Sequence, residues 1–483
     1  MTKPILFLLA GTVLLSGCNL APKYERPTGA VPVTLPQGGI YPTAPTDAVD
    51  VSRIGWRDFF LDDRLQRVIE LGLANNRDLR IAAGNVLQAR AQYRVQRSDL
   101  LPTVNASGTG TYTNNVFGAG GANGATGGST DIEAYQATVG LSAFELDLFG
   151  RVRNLSRAAQ EQVFASEEAQ RSARISLIAE IANAWLTMAA DSEQLRLSRG
   201  TLRTFEDTLR LTREQFRVGI GSELEVRQAE TNYQGALNDI AVLETSIARD
   251  QNALNLLAGT TVPAALLPTD FGNAPMTRDA LPGDISSEVL LRRPDVLQAE
   301  HQLIAENANI GAARAAFFPT ISLTATLGTL STSLSGLFKD GTYTYNASPG
   351  IGLPLFDFGR RQGNLDYARA SQQVAVATYE RAIQTAFREV ADALAQRGRI
   401  DEQLRAQTNR AEAARVAARL SDARYRSGVD SFLTTLIQQR TAYAAEQQLV
   451  GTRLTQASNL VELYRSLGGG IEETTPVGAP AAP

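Results

Sequence analysis

The chain repeats itself. Phe149-Gly150-Arg151 returns as Phe358-Gly359-Arg360, 209 residues later, and each copy opens a stretch rich in Arg, Ala and Gln. The same offset pairs EIANAWL from Glu180 with EVADALA from Glu389, FRVGIGS from Phe216 with YRSGVDS from Tyr425, and Gly259 with Gly468. Upstream the offset is 217, where NRDLRIAAGNVLQARAQYRVQRSDLLPT from Asn76 resembles RPDVLQAEHQLIAENANIGAARAAFFPT from Arg293. The surplus of eight falls between these blocks, where the first half holds GAGGANGATGG, the composition of an exposed loop. A repeat this long is a whole structural unit used twice, so any fold proposed for one half must also fit the other.

Each half is dominated by uninterrupted helix. No proline occurs from Val152 to Val262 or from Leu355 to Thr475. Ile178, Ile181, Trp185, Met188, Ser192 and Leu195 step by three and four, as do Leu202, Phe205, Leu209, Thr212 and Phe216. That period is the seam of helices packed side by side over a long distance, and an ordinary coiled coil gives it too. Val218-Gly219-Ile220-Gly221-Ser222 and its copy Ser427-Gly428-Val429-Asp430-Ser431 read as turns with an N-cap serine, which makes one helical hairpin per half. Arg151 to Arg217 is 67 residues, about 100 Å of helix. The returning segment Ser222 to Gly259 has 38 residues and Asn76 to Leu101 has 26, so two short helices stacked end to end match the long one. The second half repeats this with 67 residues from Arg360 to Arg426, 37 from Ser431 to Leu467 and 25 from Pro294 to Phe318.

Between short and long helices the period changes to two. Val104 to Tyr112, Tyr135 to Leu141, Ile321 to Leu327 and Tyr343 to Leu353 alternate a weakly apolar set with Thr, Ser and Asn. Strands of about ten residues suit a transmembrane β-barrel, although a half-buried soluble sheet gives the same alternation. Four strands cannot close a barrel, and open edges are excluded from lipid. The chain is therefore expected to oligomerise with cyclic symmetry, three copies giving twelve strands. Phe149-Gly150-Arg151 and Phe358-Gly359-Arg360 then mark where strand returns to helix, glycine bending the backbone and arginine staying at the wet boundary.

Lys3 and the apolar run Ile5 to Leu15 read as a secretory leader, too short to span a bilayer. It ends in Leu15-Ser16-Gly17-Cys18, and Cys18 is the single cysteine. A lone cysteine could be a buried apolar filler or a nucleophile, but directly after such a leader it reads as a bacterial lipobox, predicting an acylated Cys18; Asn19, not Asp, follows, which favours the outer membrane. Composition excludes other functions. One histidine, His301, leaves no cluster for zinc or a Ser-His-Asp triad, and its helical setting reads as packing or surface. The lysines, Lys3, Lys23 and Lys339, form no P-loop with the glycine-rich run. A net charge of −4 and a pI near 5.5 argue against nucleic acid. No cofactor, metal or catalytic residue is expected.

The chain resembles the TolC-like outer-membrane efflux proteins, in the lipoprotein branch serving resistance–nodulation–division (RND) pumps. The matching pieces are Cys18 with PKYERP, WRDFFLDDRL from Trp56, NNRDLRIA from Asn75, FELDLFGRVR from Phe144, LLRRPDVLQAE from Leu290, FFPTISL from Phe317 and LPLFDFGR from Leu353. The resemblance implies an α+β membrane protein: a homotrimer with a twelve-stranded outer-membrane barrel, a periplasmic α-helical barrel and a mixed equatorial domain. It would conduct small molecules delivered by an inner-membrane RND transporter and a periplasmic adaptor, and catalyse nothing. The implied segmentation is a leader at 1–17, an anchored and equatorial segment at 18–75, a first repeat at 76–260, a linker at 261–291, a second repeat at 292–468 and a flexible tail at 469–483. Arg217, Val218, Gly219 and Ile220, with Arg426, Ser427, Gly428 and Val429, match the tips that meet the adaptor. Leu433 and Thr434 match the pore constriction. Ile437 stands where the family often has an aspartate, so Asp430 and Asp422 are the nearby candidates for acidic pore residues, against a solvated helix face. A periplasmic adaptor lipoprotein would show one hairpin rather than two, and a lipid-anchored enzyme would need a catalytic constellation.

Overall fold

The computed structural model describes residues 19–42, 54–115, 130–272, 276–278 and 286–475. Cys18 and the glycine-rich insertion lie outside them. A helical turn at Trp56–Phe59 is followed by α1 (Asp63–Asn75), α2 (Arg77–Ser98), β1 (Val104–Asn115), β2 (Thr130–Leu146), α3 (Arg151–Arg217) and α4 (Glu223–Ala258). After two short 3-10 turns come α5 (Pro294–Ala315), β3 (Thr320–Ser331), β4 (Tyr343–Gly352), α6 (Arg360–Arg426) and α7 (Phe432–Ser466). The two long helices have the bounds read from the sequence. Three of the strands are longer than expected, 17 residues in β2, because backbone pairing extends past the alternating stretch, while β4 ends at Gly352, one residue before the expected Leu353. The chain divides into two compact units, to both of which α3 and α6 contribute.

The first unit holds Met1–Pro27, Val86–Ser166 and Ala299–Tyr379. Its four strands form one antiparallel sheet in sequence order, β1-β2-β3-β4. Val104 pairs with Leu141, Val139 with Leu327, and Ile321 with Ile351, with a bulge in β2 between Leu141 and Phe144 where Ala143 takes φ 50°. Val104, Tyr112, Tyr343, Tyr345 and Ile351 remain exposed. Such a sheet has an apolar surface that nothing in the described chain covers, and β1 and β4 have free outer edges. In water both features favour aggregation; in lipid the surface is satisfied and the edges are not.

At the helix entrances Gly150 and Gly359 take φ of 77° and 87°, conformations that disfavour side chains. Arg151 pairs with Glu145, its Nε 2.9 Å and its Nη2 2.5 Å from the carboxylate. Phe149 stacks on Phe318 at 4.7 Å. The second junction is built differently. Phe358 itself has φ 55° and is exposed, and Arg361 rather than Arg360 pairs with Asp357, at 2.6 Å. His301 has a structural partner, its Nδ1 lying 2.8 Å from Glu161.

The first unit also carries a strap that the sequence reading missed. The extended segment 20–26 is fastened to one face of α5 by side chains spaced seven residues apart. Arg314 donates to the Leu20 carbonyl at 3.2 Å and Asn307 to the Pro22 carbonyl at 2.7 Å. Buried Glu300 accepts two bonds from Arg26, both 2.8 Å, and one from Tyr24 at 2.9 Å. The repeat equivalents on α2 are Ala83, Arg90 and Arg97, which cannot reproduce this ladder.

The second unit holds Thr28–Asn85, Glu167–Gln298 and Glu380–Pro483. Its core gathers Trp56, Phe59, Phe60, Leu65, Ile69, Ile178, Ile181, Trp185, Leu186 and Tyr464, all fully buried. Phe59 stacks on Tyr464 at 4.0 Å, the Tyr464 hydroxyl donates to the Ile54 carbonyl at 2.7 Å, and Trp185 Nε1 donates to the Leu266 carbonyl at 3.1 Å. Tyr464 and Trp185 therefore keep their polar tips satisfied, whereas Nε1 of buried Trp56 has no hydrogen-bond partner. Residues 472–475, placed by the sequence in a free tail, are tied back. Trp56 and Arg57 backbone amides donate to Glu472 and Glu473 carbonyls at 3.2 and 3.1 Å, and Thr475 N donates to Asp58 at 2.7 Å.

The short helices do abut. Asn76 donates from Nδ2 to the Leu257 carbonyl at the end of α4, at 2.9 Å, and accepts from Leu79 N at 3.0 Å to start α2. In the second repeat Arg293 occupies the position of Asn76 and donates to the Ser466 carbonyl at the end of α7, at 2.6 Å. The same job, capping one helix at the start of the next, is done by an amide in one half and a guanidinium in the other. Arg293 is 5% exposed and is neutralised by Asp295 at 2.7 Å and Glu389 at 2.9 Å.

Candidate functional site

The two hairpin turns are built alike. Gly219, φ 84°, donates to the Phe216 carbonyl at 3.0 Å, and Ile220 N to the Gln215 carbonyl at 2.9 Å. Gly428, φ 72°, donates to the Tyr425 carbonyl at 2.9 Å, and Val429 N to the Arg424 carbonyl at 2.9 Å. These are the bonds that end a helix through a left-handed glycine. Ser222 then starts α4 in a full capping box with Glu225, and Ser431 starts α7 by accepting from Thr434 N. Both glycines are open to solvent, with nothing near where a Cβ would stand; backbone conformation, not crowding, requires them.

At the turns, apolar side chains point outward. Ile220 is 78% exposed, and Val218, Val429 and Leu224 are also open. Arg217 pairs with Glu214 at 2.7 Å and Arg426 with Asp422 at 2.9 Å. The structure brings the two hairpins together just behind these tips. Leu209, Val226 and Ala229 of the first pack with Phe432 and Leu436 of the second, flanked by Tyr233 and Tyr425. Polar ties reinforce that contact. Tyr425 donates to Gln215 at 2.7 Å. Tyr443 donates to Asp239 on α4 at 2.9 Å, and its hydroxyl lies 2.7 Å from Ser198 Oγ on α3. Burial pushes the Tyr443 phenol up to about 12, and the charge on Asp239 adds to this. Neither tyrosine was legible as functional, because pairing across hairpins has no signature in sequence spacing.

The residues read as a pore constriction separate into two kinds. Leu433 and Thr434 are exposed on α7, as is Ile437 one turn on. Leu436, three residues after Leu433, is buried between the hairpins, so α7 has one packed face and one open face. Asp430 is held by both of its oxygens, 2.8 and 2.9 Å from Arg424. The Arg424 guanidinium keeps its carboxyl below the usual range. Asp422 and Asp430 are thus each matched by a tip arginine. Elsewhere in the second unit Asp250 on α4 has an unsatisfied buried oxygen, and burial with the nearby Asp191 charge raises it to about 6. No group of His, Cys, Asp and Glu among the described residues could hold a metal.

An open-edged sheet of bilayer-length strands, joined to paired helical hairpins with exposed tips, defines one stave of an outer-membrane channel. The family model for outer membrane efflux proteins matches residues 68–260 and 285–469, and the chain belongs to that family. It is 45% identical over 482 residues to the toluene efflux pump outer membrane protein TtgC of Pseudomonas putida, covering 98% of this chain and 97% of the relative. It is 38% identical over 468 residues to the cation efflux system protein CusC of Escherichia coli, covering 94% of this chain and 97% of the relative. The open-state crystal structure of the Neisseria gonorrhoeae MtrE outer membrane channel superposes with TM-score 0.83 at 36% identity, covering 95% of this chain and 100% of that one. The fold is TolC-like, and the protein is a non-enzymatic efflux channel of the outer membrane that extends into the periplasm.

Proposed function

We propose that three copies close a twelve-stranded barrel and that the trimer is the passive exit duct of a tripartite pump. Solutes are delivered by an inner-membrane transporter of the RND type through a periplasmic adaptor. The observation that carries this is the free outer edges of β1 and β4, which only further copies can satisfy in lipid. Arg217, Val218, Gly219 and Ile220, with Arg426, Ser427, Gly428 and Val429, form the adaptor-docking tips, where apolar side chains are already exposed beside glycine turns. The open face of α7 lines the lumen, with Leu433 and Thr434 at its narrowest level; Asp430 and Asp422, each held by an arginine, steady the tip rather than form an acidic ring. Cys18 carries the lipid, and Phe149 to Arg151 and Phe358 to Arg360 sit at the membrane boundary. The segments 18–75 and 261–291 supply the equatorial part, and 76–260 and 292–468 the two repeats.

The test is direct. Protein extracted in mild detergent should run as a trimer and form channels in planar bilayers, and Leu433→Ser should raise single-channel conductance. A monomer overturns the barrel; unchanged conductance in a trimeric Leu433→Ser variant removes Leu433 from the pore.

A further inference from the structure

The open face of α7 is a single stripe. Leu433, Ile437, Arg440, Thr441, Ala444 and Gln448 are exposed at helical spacing, while Phe432, Leu436, Gln439, Ala442, Ala445 and Leu449 are buried behind them. Seven residues return an α-helix to nearly the same face, so Arg440 stands over Leu433, about 10 Å further along the axis. Arg440 has no ion pair among the described residues, and no carboxylate lies on the stripe. Arg405, Arg410, Arg419 and Arg453 likewise have no ion pair among the described residues; what distinguishes Arg440 is its place over Leu433 on this stripe. Residues 403–453 contain eight arginines and four carboxylates. Those four are all engaged, Glu412 and Glu446 with Arg415, Asp422 with Arg426, and Asp430 with Arg424. No carboxylate within that stretch is left to neutralise Arg440. The repeat equivalent of Arg440 is Thr231, and that of Leu433 is Leu224. Both hairpins therefore present an exposed leucine, but only the second adds a charge.

We infer that Arg440 is a specificity-determining residue, a ring of cations behind the apolar constriction that makes the periplasmic entrance prefer anionic solutes. This rests on the reading that the open face of α7 lines the lumen. Charged rings in a narrow, low-dielectric passage select ions of opposite sign, and arginine rings belong to anion pores. Ile437 strengthens the effect, because an aspartate one turn from Arg440 would pair with it. The ring thus works as a filter, and carboxylate- or phosphate-bearing solutes are the class it admits.

Reversal potentials of the full-length channel in planar bilayers under a potassium chloride gradient test this. Wild type should pass chloride in preference to potassium, Arg440→Gln should bring the permeability ratio to unity, and Arg440→Glu should invert it. Leu433→Cys and Arg440→Cys, treated with a charged thiosulfonate reagent, report separately whether the face is wet by the lumen. Conductance altered by the reagent in both, with a wild-type preference that Arg440→Gln abolishes, is the expected result. Reagent-sensitive cysteines with a preference that Arg440→Gln and Arg440→Glu leave unchanged would overturn the filter and leave the duct intact. Cysteines insensitive to the reagent in a conducting trimer would overturn the lumen-facing reading, and the filter with it.

Discussion

Removing one hydroxyl should loosen the two hairpins from each other. Tyr443 is the one described side chain on α7 whose hydroxyl bonds to both helices of the first hairpin, Asp239 on α4 at 2.9 Å and Ser198 on α3 at 2.7 Å. Its raised pKa keeps it a protonated donor throughout the physiological range. A hydrogen bond to a charged acceptor contributes about 1.5–3 kcal/mol net and a neutral one about 0.5–1.5 kcal/mol. Asp239 is half-buried and can turn to water, which recovers part of its share, whereas Ser198 is fully buried and recovers little. Tyr443→Phe should then weaken the contact by about 2 kcal/mol in each protomer, roughly a thirty-fold change in any equilibrium that separates the hairpins. If widening the periplasmic end requires that separation, single-channel recordings should show Tyr443→Phe open far more often than wild type, and cells carrying it should become sensitive to vancomycin. Asp239→Asn should move the same way by less, and the double variant should fall short of the sum because both changes remove one bond. Wild-type opening in Tyr443→Phe, with only a lower melting temperature, would refute the link between this tie and the gate.

Further outcomes follow from single residues. Asp250 rises from the ordinary 3.8 to about 6, so the folded chain binds the extra proton between those values. Stability is therefore fully present at about pH 4 and falls as pH rises through 6; Asp250→Asn should raise the melting temperature at pH 7.5 and leave it unchanged at pH 4. Cys18→Ser should abolish incorporation of a radiolabelled fatty acid, and labelling that survives the change would remove the lipobox. Glu300→Ala releases Tyr24 and Arg26, and limited proteolysis within residues 19–27 should accelerate roughly tenfold, since cleavage tracks the population of the open segment. Gly219→Pro with Gly428→Pro should break the bonds that Gly219 N and Gly428 N donate, weakening crosslinking to the adaptor without dissolving the trimer.

The sequence by itself determined the duplication, the bounds of the two long helices, the glycine turns and the existence of four strands. These are properties of local chemistry: absence of proline over 67 residues, left-handed glycine after the last turn, a serine N-cap, and a period of two against a period of three and a half. Because each is written twice, the halves checked one another. Helix ends that depend on tertiary contact were less legible. The abutting ends of α4 and α2, and of α7 and α5, were expected from lengths alone, yet the residues that join them, Asn76 in the first pair and Arg293 in the second, differ in charge and share only a position in the repeat.

What the tertiary structure alone decided is where charge and exposure fall. The resemblance made Asp430 and Asp422 candidates for acidic pore residues; the four-residue spacing of Asp422 and Arg426 on one helix already permitted their pairing, but only the folded turn brings Arg424 onto Asp430. Spacing put Leu433 and Leu436 on the same helix three residues apart, and only packing against Val226 and Ala229 buries one and leaves the other open. Arg440 was one arginine among forty-three until packing of α7 left it on the open face above Leu433. Sequence fixes what a side chain can do within its own turn or two of backbone. Which partner reaches it from another helix depends on long-range packing, and that information exists only once the chain has folded.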